Sequence, residues 1–289
     1  MKKIIIVMSL IALSLGCSKN PTKPDYQQEI SVFGYLWGNR NLTMDHGILI
    51  TYTQPITAYY DPATAAVRDA QVILKDMDSG ASYELHDSDA KPGYYFNPDV
   101  LIAPRTTYEL TVMAAERTVT ARTTVPYKLE QTTELKTDAV NPVNQKNLGY
   151  DKPIFLQCES ADQIVYVDMF CNEPYDQAEY IYPFTDQYKN PQSQEEYDGG
   201  RNAEPRHISA FMKYSDMASA DYDGKHVVFW YASMIVFFGS NTLQVLAIDD
   251  NYHNFLYKEH PELNGGVSGG IGVFGSVCGF KYDLLVNGR

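Results

Sequence analysis

Side chains able to do chemistry are spread thinly along this chain, and few stand at spacings that chemistry needs. The six histidines, His46, His86, His207, His226, His253 and His260, form no HExxH pair or similar array. His253 with Asp249 and Asp250 comes nearest to a metal cluster. Two carboxylates just ahead of a short helical segment, however, stabilise its start through the helix dipole, and that is the better reading. Asp76 to Gly80 (DMDSG) has the opening of a calcium loop without its twelfth-position Glu, so a turn between strands fits better. The glycines from Gly265 to Gly279 lack both the GxGxxG-then-helix order and the Walker Lys and Ser/Thr of a phosphate loop. A strand with glycine at tight packing positions explains them. No GxSxG elbow is present. The expectation is a protein that is not an enzyme and holds no metal or other cofactor.

Tyrosine carries more weight. The chain has 23, and a tyrosine ring offers a rigid apolar face with a polar tip, suited to protein interfaces and to sugar stacking. Many belong in strands. The polar, acidic segment 172–200 is different, because a loop seldom needs so many rings and loops of that length are usually functional or mobile. Tyr175, Tyr180, Tyr182, Phe184 and Tyr188 are its candidate contacts for a ligand or partner. A loop folded over its own sandwich is the other reading, and both stay open. Three cysteines, Cys158, Cys171 and Cys278, lie within the body of the chain. Outside the cytoplasm two of them could pair, or all three could be buried thiols.

The fourth cysteine has its own context. Lys2 and Lys3 precede an apolar segment, Ile4 to Leu15, and Gly16-Cys17 closes it. A charged start, a short apolar core and a small residue at a cleavage point describe a secretory signal. The segment falls short of the ~20 apolar residues that span a bilayer. Cys17 at this boundary resembles the lipobox cysteine of bacterial lipoproteins, whose thiol is acylated and becomes the first residue of the mature chain. Ser14 departs from the Leu usual three residues before it. Residues 18–29, with Pro21 and Pro24, are too polar to fold alone and read as a tether. Ser18 rather than Asp after the cysteine implies passage to an outer membrane. Losing Lys2 and Lys3 takes the formal charge from −13 to −15. So acidic a chain argues against nucleic acid and anionic headgroups as partners.

The elements expected to carry these residues are strands. From Ile30 to Pro126 short alternating runs are bounded by turn residues, with hairpin turns at Asp78-Ser79-Gly80, Lys91-Pro92-Gly93 and Ala115-Glu116-Arg117. Residues 30–128 therefore read as an immunoglobulin-like β-sandwich. Residues 129–152 are a polar linker. Residues 153–289 form a β-rich C-terminal domain, opening on a hairpin of Ile154–Glu159 with Ile164–Cys171. That domain has one short helix, Asn251 to Lys258, capped by Asp249-Asp250, with Tyr252, Phe255 and Leu256 facing inward. The fold class expected is all-β.

The order of these features resembles a large family of bacterial lipoproteins of unknown function, found mainly on outer membranes. The resemblance rests on ISVFGYL (Ile30 to Leu36), DAQVILKDMDSGASYEL (Asp69 to Leu85) and GYYF (Gly93 to Phe96). TYELTV with TARTTVP (Thr107 to Val112, Thr120 to Pro126) and GGIGVFGS (Gly269 to Ser276) complete it. The first portion is also similar to carboxypeptidase-regulatory and transthyretin-like sandwiches attached to outer-membrane receptors. The resemblance implies fold and location but no activity and no catalytic residue. The function expected is an accessory or binding role at the outer membrane, lipid-anchored through Cys17 and partnered by a receptor or transporter barrel. The alternative is a glycan- or peptide-binding module using the tyrosine-rich loop.

Overall fold

The computed structural model of the protein describes residues 26–132, 135, 137, 142–144, 153–174, 177–179, 181, 206–217, 226–229, 231 and 234–287. It is all-β, with a few short helices. Alternating apolar and polar residues build the first strands: β1 (Ile30–Trp37), β2 (Asn41–Leu42), β3 (Ile48–Tyr52), β4 (Gln71–Asp76) and β5 (Ser82–Asp87). A four-residue helix, α1 (Pro62–Ala65), lies between β3 and β4. Then come β6 (Tyr94–Leu101), β7 (Thr107–Ala114) and β8 (Arg117–Thr124). The expected hairpin turns are present. Gly80 and Gly93 take positive φ, and Ala115 and Glu116 join β7 to β8 with φ of 47° and 62°. Two left-handed residues in a two-residue loop match the twist of the strands they join.

The rest of the chain supplies β9 (Glu130–Gln131), β10 (Val143–Asn144), β11 (Ile154–Gln157), β12 (Ile164–Cys171), β13 (His207–Lys213) and β14 (His226–Phe229). It ends with β15 (Gly239–Ile248), helices α2 (Asp250–Tyr257) and α3 (Pro261–Asn264), β16 (Val267–Ser268) and the long β17 (Ile271–Asn287). The main sheet runs β13-β12-β15-β17-β1-β3-β6-β5-β4-β7-β8-β16, while β14, β11 and β9 form a separate three-stranded sheet. The hairpin expected between β11 and β12 is therefore absent. Ile154 and Leu156 face Val165, Val167 and Met169 across one core, so the intervening turn carries the chain from one sheet to the other.

Two cores result. One is filled by β1, β3 and β6 against β4, β7 and β8, including Val32, Leu36, Ile50, Val72, Leu110 and Val119. The other gathers β11, β12, β14 and β15, including Leu156, Val167, Val227 and Val245. β17 serves both, with Phe274 in the first and Tyr282, Leu284 and Val286 in the second. It lies parallel to β1 (Ser31 opposite Ile271, Trp37 opposite Val277) and antiparallel to β15 along ten residues. Its glycines make the close approach expected of them: a Cβ at Gly279 would stand 2.1 Å from the Val245 carbonyl oxygen. Among the described residues, no helix is long and apolar enough to cross a membrane.

Candidate functional site

The outer face of β12 and β13, next to α2, collects the aromatic and titratable side chains. Strand alternation turns Val165, Val167 and Met169 of β12 toward the core and leaves Tyr166, Asp168 and Phe170 on the other face. β13 pairs with them in register, placing Phe211 opposite Tyr166, Ser209 opposite Asp168 and His207 opposite Phe170. Directly opposed residues are the contact unit of an antiparallel pair. The Phe170 and His207 rings stack at 4.4 Å with planes 11° apart. His207 Nε2 contacts the Asp168 carboxylate, and Tyr166 also bonds to it. Asp168 is only 3% exposed, and burial raises its pKa while His207 and Tyr166 pull it down. Ser209 lies beside Tyr166 and Tyr257 and lowers the pKa of both phenols, against the burial that raises them.

α2 is seated against this face by its own sequence. Asp249 caps it, accepting from the Tyr252 N–H at 3.0 Å, as expected. Tyr252 lies 5.6 Å from Tyr35 and 6.4 Å from Tyr166, and burial pushes its hydroxyl pKa upward. Phe255 meets Phe33 edge-on at 5.7 Å. Phe211 touches both His253 (4.8 Å) and Tyr257 (4.0 Å). Leu256, expected to face inward, is exposed, because His253 and Tyr257 take the contact with β13 and roll it outward. Phe33, Phe211, Leu256 and Tyr257 thus leave between 37% and 46% of their surface in water around one helix. A cluster of half-exposed apolar residues on one face marks an interaction surface. Its chemistry is stacking with hydrogen bonding at the His207–Asp168 notch.

A second feature is a cleft of about 690 Å³ between the two cores, lined by Arg105, Arg122, Tyr127, Asp162, Gln163 and Asp249 among others. Three of its charges pair with neighbours: Arg105 with Glu159, Arg122 with Glu109 and Asp162 with Lys213. Asp249 has its oxygens occupied, by Thr123 Oγ1 at 2.6 Å on one and by the Tyr252 and Ser276 N–H groups at 3.0 Å on the other. Asn251 extends the knot, donating to the Arg122 and Phe274 carbonyls. Asp249 therefore holds β8, α2 and β17 together.

Cys17, Tyr175, Tyr180, Tyr182, Phe184 and Tyr188 lie outside the described residues. Of the segment that carries the tyrosines, Ala178 and Ile181 are buried with Val236 and Phe237 nearby, and the Ile181 N–H donates to the Val236 carbonyl at 2.8 Å. Cys158, Cys171 and Cys278 are free thiols, the first and last fully buried, and burial raises the pKa of all three. No group of three or more His, Cys, Asp or Glu among the described residues could hold a metal. The Asp168–His207 pair escaped the sequence reading because the two lie 39 residues apart. A signal existed in the lone Asp of the otherwise apolar IVYVDMFC.

Residues 29–276 match the family described as a domain of unknown function, DUF4249, and the chain belongs to that family. No curated protein matches it.

Proposed function

We propose that this member of the DUF4249 family is an outer-membrane lipoprotein with an accessory or binding role beside a receptor or transporter barrel, and no reaction of its own. Cys17 carries the lipid, the residues between it and Tyr26 form the tether, and the β body presents the contact surface. The observation that carries the reading is the ledge of half-exposed Phe33, Phe211, Leu256 and Tyr257 around α2. Rings of this kind supply large contact area at low entropic cost, and aromatic residues are enriched where proteins meet. The titratable group beside it supports this reading, since the buried Asp168 carboxylate is already engaged by His207. The immunoglobulin-like reading of residues 30–128 belongs to this proposal, supported by the antiparallel order β5-β4-β7-β8.

The anchor is tested by mass spectrometry of the mature N-terminus together with flotation of membranes. The mature chain should begin at Cys17, carry acyl chains and float with the envelope, and Cys17→Ala should release nearly all of it into the soluble fraction. An unmodified mature N-terminus elsewhere, or a C17A protein that still floats, removes the anchor.

The second reading, glycan or peptide binding by segment 172–200, is favoured by its aromatic content. Titrating the protein with glycans and peptides, with Tyr180, Tyr182 and Tyr188 changed to Ala, separates the two. Saturable binding lost in the variant supports the second reading, and no binding to any ligand removes it.

A further inference from the structure

The loop between β3 and α1 exposes its apolar residues to an unusual degree. Ile56 is 102% exposed, Tyr59 94% and Tyr60 53%, with Thr57 and Ala58 also in water. No charged residue lies between Thr53 and Tyr60. The base of the loop is nevertheless well tied. Gln54 Nε2 donates to Thr64 Oγ1 at 3.2 Å, and the Asp61 N–H donates back to Gln54 Oε1 at 3.3 Å. Asp61 caps α1 through the Ala63 N–H, and the Ala58 N–H closes a turn onto the Pro55 carbonyl. A fixed base holding bare apolar side chains in water is a costly arrangement unless something covers them.

The start of the described chain is stitched to the same loop. Tyr26 donates its hydroxyl to the Thr53 carbonyl, and Thr53 exchanges hydrogen bonds with the Glu29 backbone through its N–H and its Oγ1. Tyr26 is nine residues on from Cys17. Even fully extended, that stretch reaches only ~30 Å. The anchor therefore keeps this end of the β body near the bilayer, and Ile56, Tyr59 and Tyr60 are the apolar side chains it brings there.

We infer that the 54–61 loop docks on the lipid surface, with Tyr59 and Tyr60 at headgroup level and Ile56 at the acyl boundary. Tyrosine is enriched at that depth because its ring is apolar and its tip polar. A neutral tip also suits a mature chain whose formal charge falls from −13 to −15 with the loss of Lys2 and Lys3, which anionic headgroups would repel. The tether raises the local concentration of bilayer around the loop, so a weak contact suffices. Docking would fix which way the body faces and leave the α2 ledge for a protein partner. The inference rests on the Cys17 anchor proposed above.

The test uses the lipidated full chain in phosphatidylcholine vesicles with brominated acyl chains, which quench tryptophan only at membrane depth. Tyr59→Trp places the reporter on the tip. Leu101→Trp places it at an exposed position of β6 opposite Asn41, past the Trp37 end of β1, whereas the loop leaves from the Ile30 end, about 23 Å along that strand. Both substitutions are on the surface, and the signal of Trp37 and Trp230 is subtracted using the unsubstituted protein. Bromolipid should quench position 59 at least threefold more than position 101. Protein that floats with the vesicles but shows equal quenching at both positions overturns the docking and leaves the anchor standing. Protein that does not float overturns the anchor and the docking with it.

Discussion

Gly272→Ala should cost about 4 kcal/mol or more and leave little folded protein, because it strikes the seam that joins the two ends of the chain. Gly272 has φ of +116°, and a Cβ there would stand 2.0 Å from the Val32 carbonyl oxygen. Val32 is its partner in the parallel β1–β17 pair, so relief would mean separating the strands. The first core is filled from β1 and receives Phe274 from β17, so separation opens it directly. Gly80→Ala is the control. Its φ of +78° is also left-handed, but nothing lies within 4 Å of the added methyl. That variant should lose only about 1–2 kcal/mol, the cost of the left-handed conformation alone. Urea unfolding of both variants decides the matter. Equal losses would mean that φ rather than strand approach sets the cost, and the seam would lose its place in the account.

Asp249 should behave as a partly buried acid whose proton is part of the fold. Three contacts run in a chain: Asp249 Oδ2 to Thr123 Oγ1 at 2.6 Å, Thr123 Oγ1 to Ser276 Oγ at 2.7 Å, and Ser276 Oγ to the Thr124 carbonyl at 3.0 Å. The two hydroxyls supply one hydrogen each, and a carbonyl supplies none. With Asp249 ionised, one of the three contacts has no hydrogen. With Asp249 protonated, each has one, running from the acid to Thr123, on to Ser276 and then to the carbonyl. Burial acts in the same direction and raises the Asp249 pKa, against the hydrogen bonds from Thr123, Tyr252 and Ser276 that lower it.

The sign follows from linkage. A carboxyl whose pKa is higher in the folded state binds its proton more tightly there than in the unfolded chain. Its contribution is complete below the unfolded value of about 3.9 and is lost as pH rises through the folded value. Asp249→Asn supplies a permanent donor at the same place, while its oxygen still accepts the Tyr252 and Ser276 N–H groups. The Asp249→Asn protein should therefore gain stability relative to the parent as pH rises from 5 to 8. Asp249→Ala removes the cap and orphans buried donors, and should lose about 3 kcal/mol at either pH. Urea denaturation at the two pH values reads both effects. An Asn variant that falls behind the parent as pH rises would show that the ionised form is the one the fold needs.

Much of the fold was legible in the sequence because its signals are local. Alternation marked β1, β4, β7 and β8, and the Asp-Ser-Gly and Ala-Glu turns marked their reversals. Asp249 was readable as a cap because a cap acts within three residues of itself. What could not be read are the long-range pairings. Nothing within Ile30–Trp37 says that it lies parallel to a strand some 240 residues later. Nothing around Ser160 says that its turn changes sheets rather than closing a hairpin. The candidate site fails for the same reason. His207 and Asp168 each look ordinary alone, and only the β12–β13 register makes them neighbours. The half-exposed rings were hidden too, because Phe33 and Phe211 sit in alternating strands where one face is expected to be polar and the other buried.

The most direct test of the central claim is affinity capture of the full-length lipidated protein from its own envelope after mild crosslinking, quantified by mass spectrometry. It is run beside a variant carrying Phe211→Ser and Tyr257→Ser. One outer-membrane barrel should be recovered in near-equal amount with the parent, and should be lost with the variant while the protein itself stays folded and membrane-bound. Recovery of the parent alone, or of the same barrel with parent and variant alike, would contradict an accessory role acting through the α2 ledge.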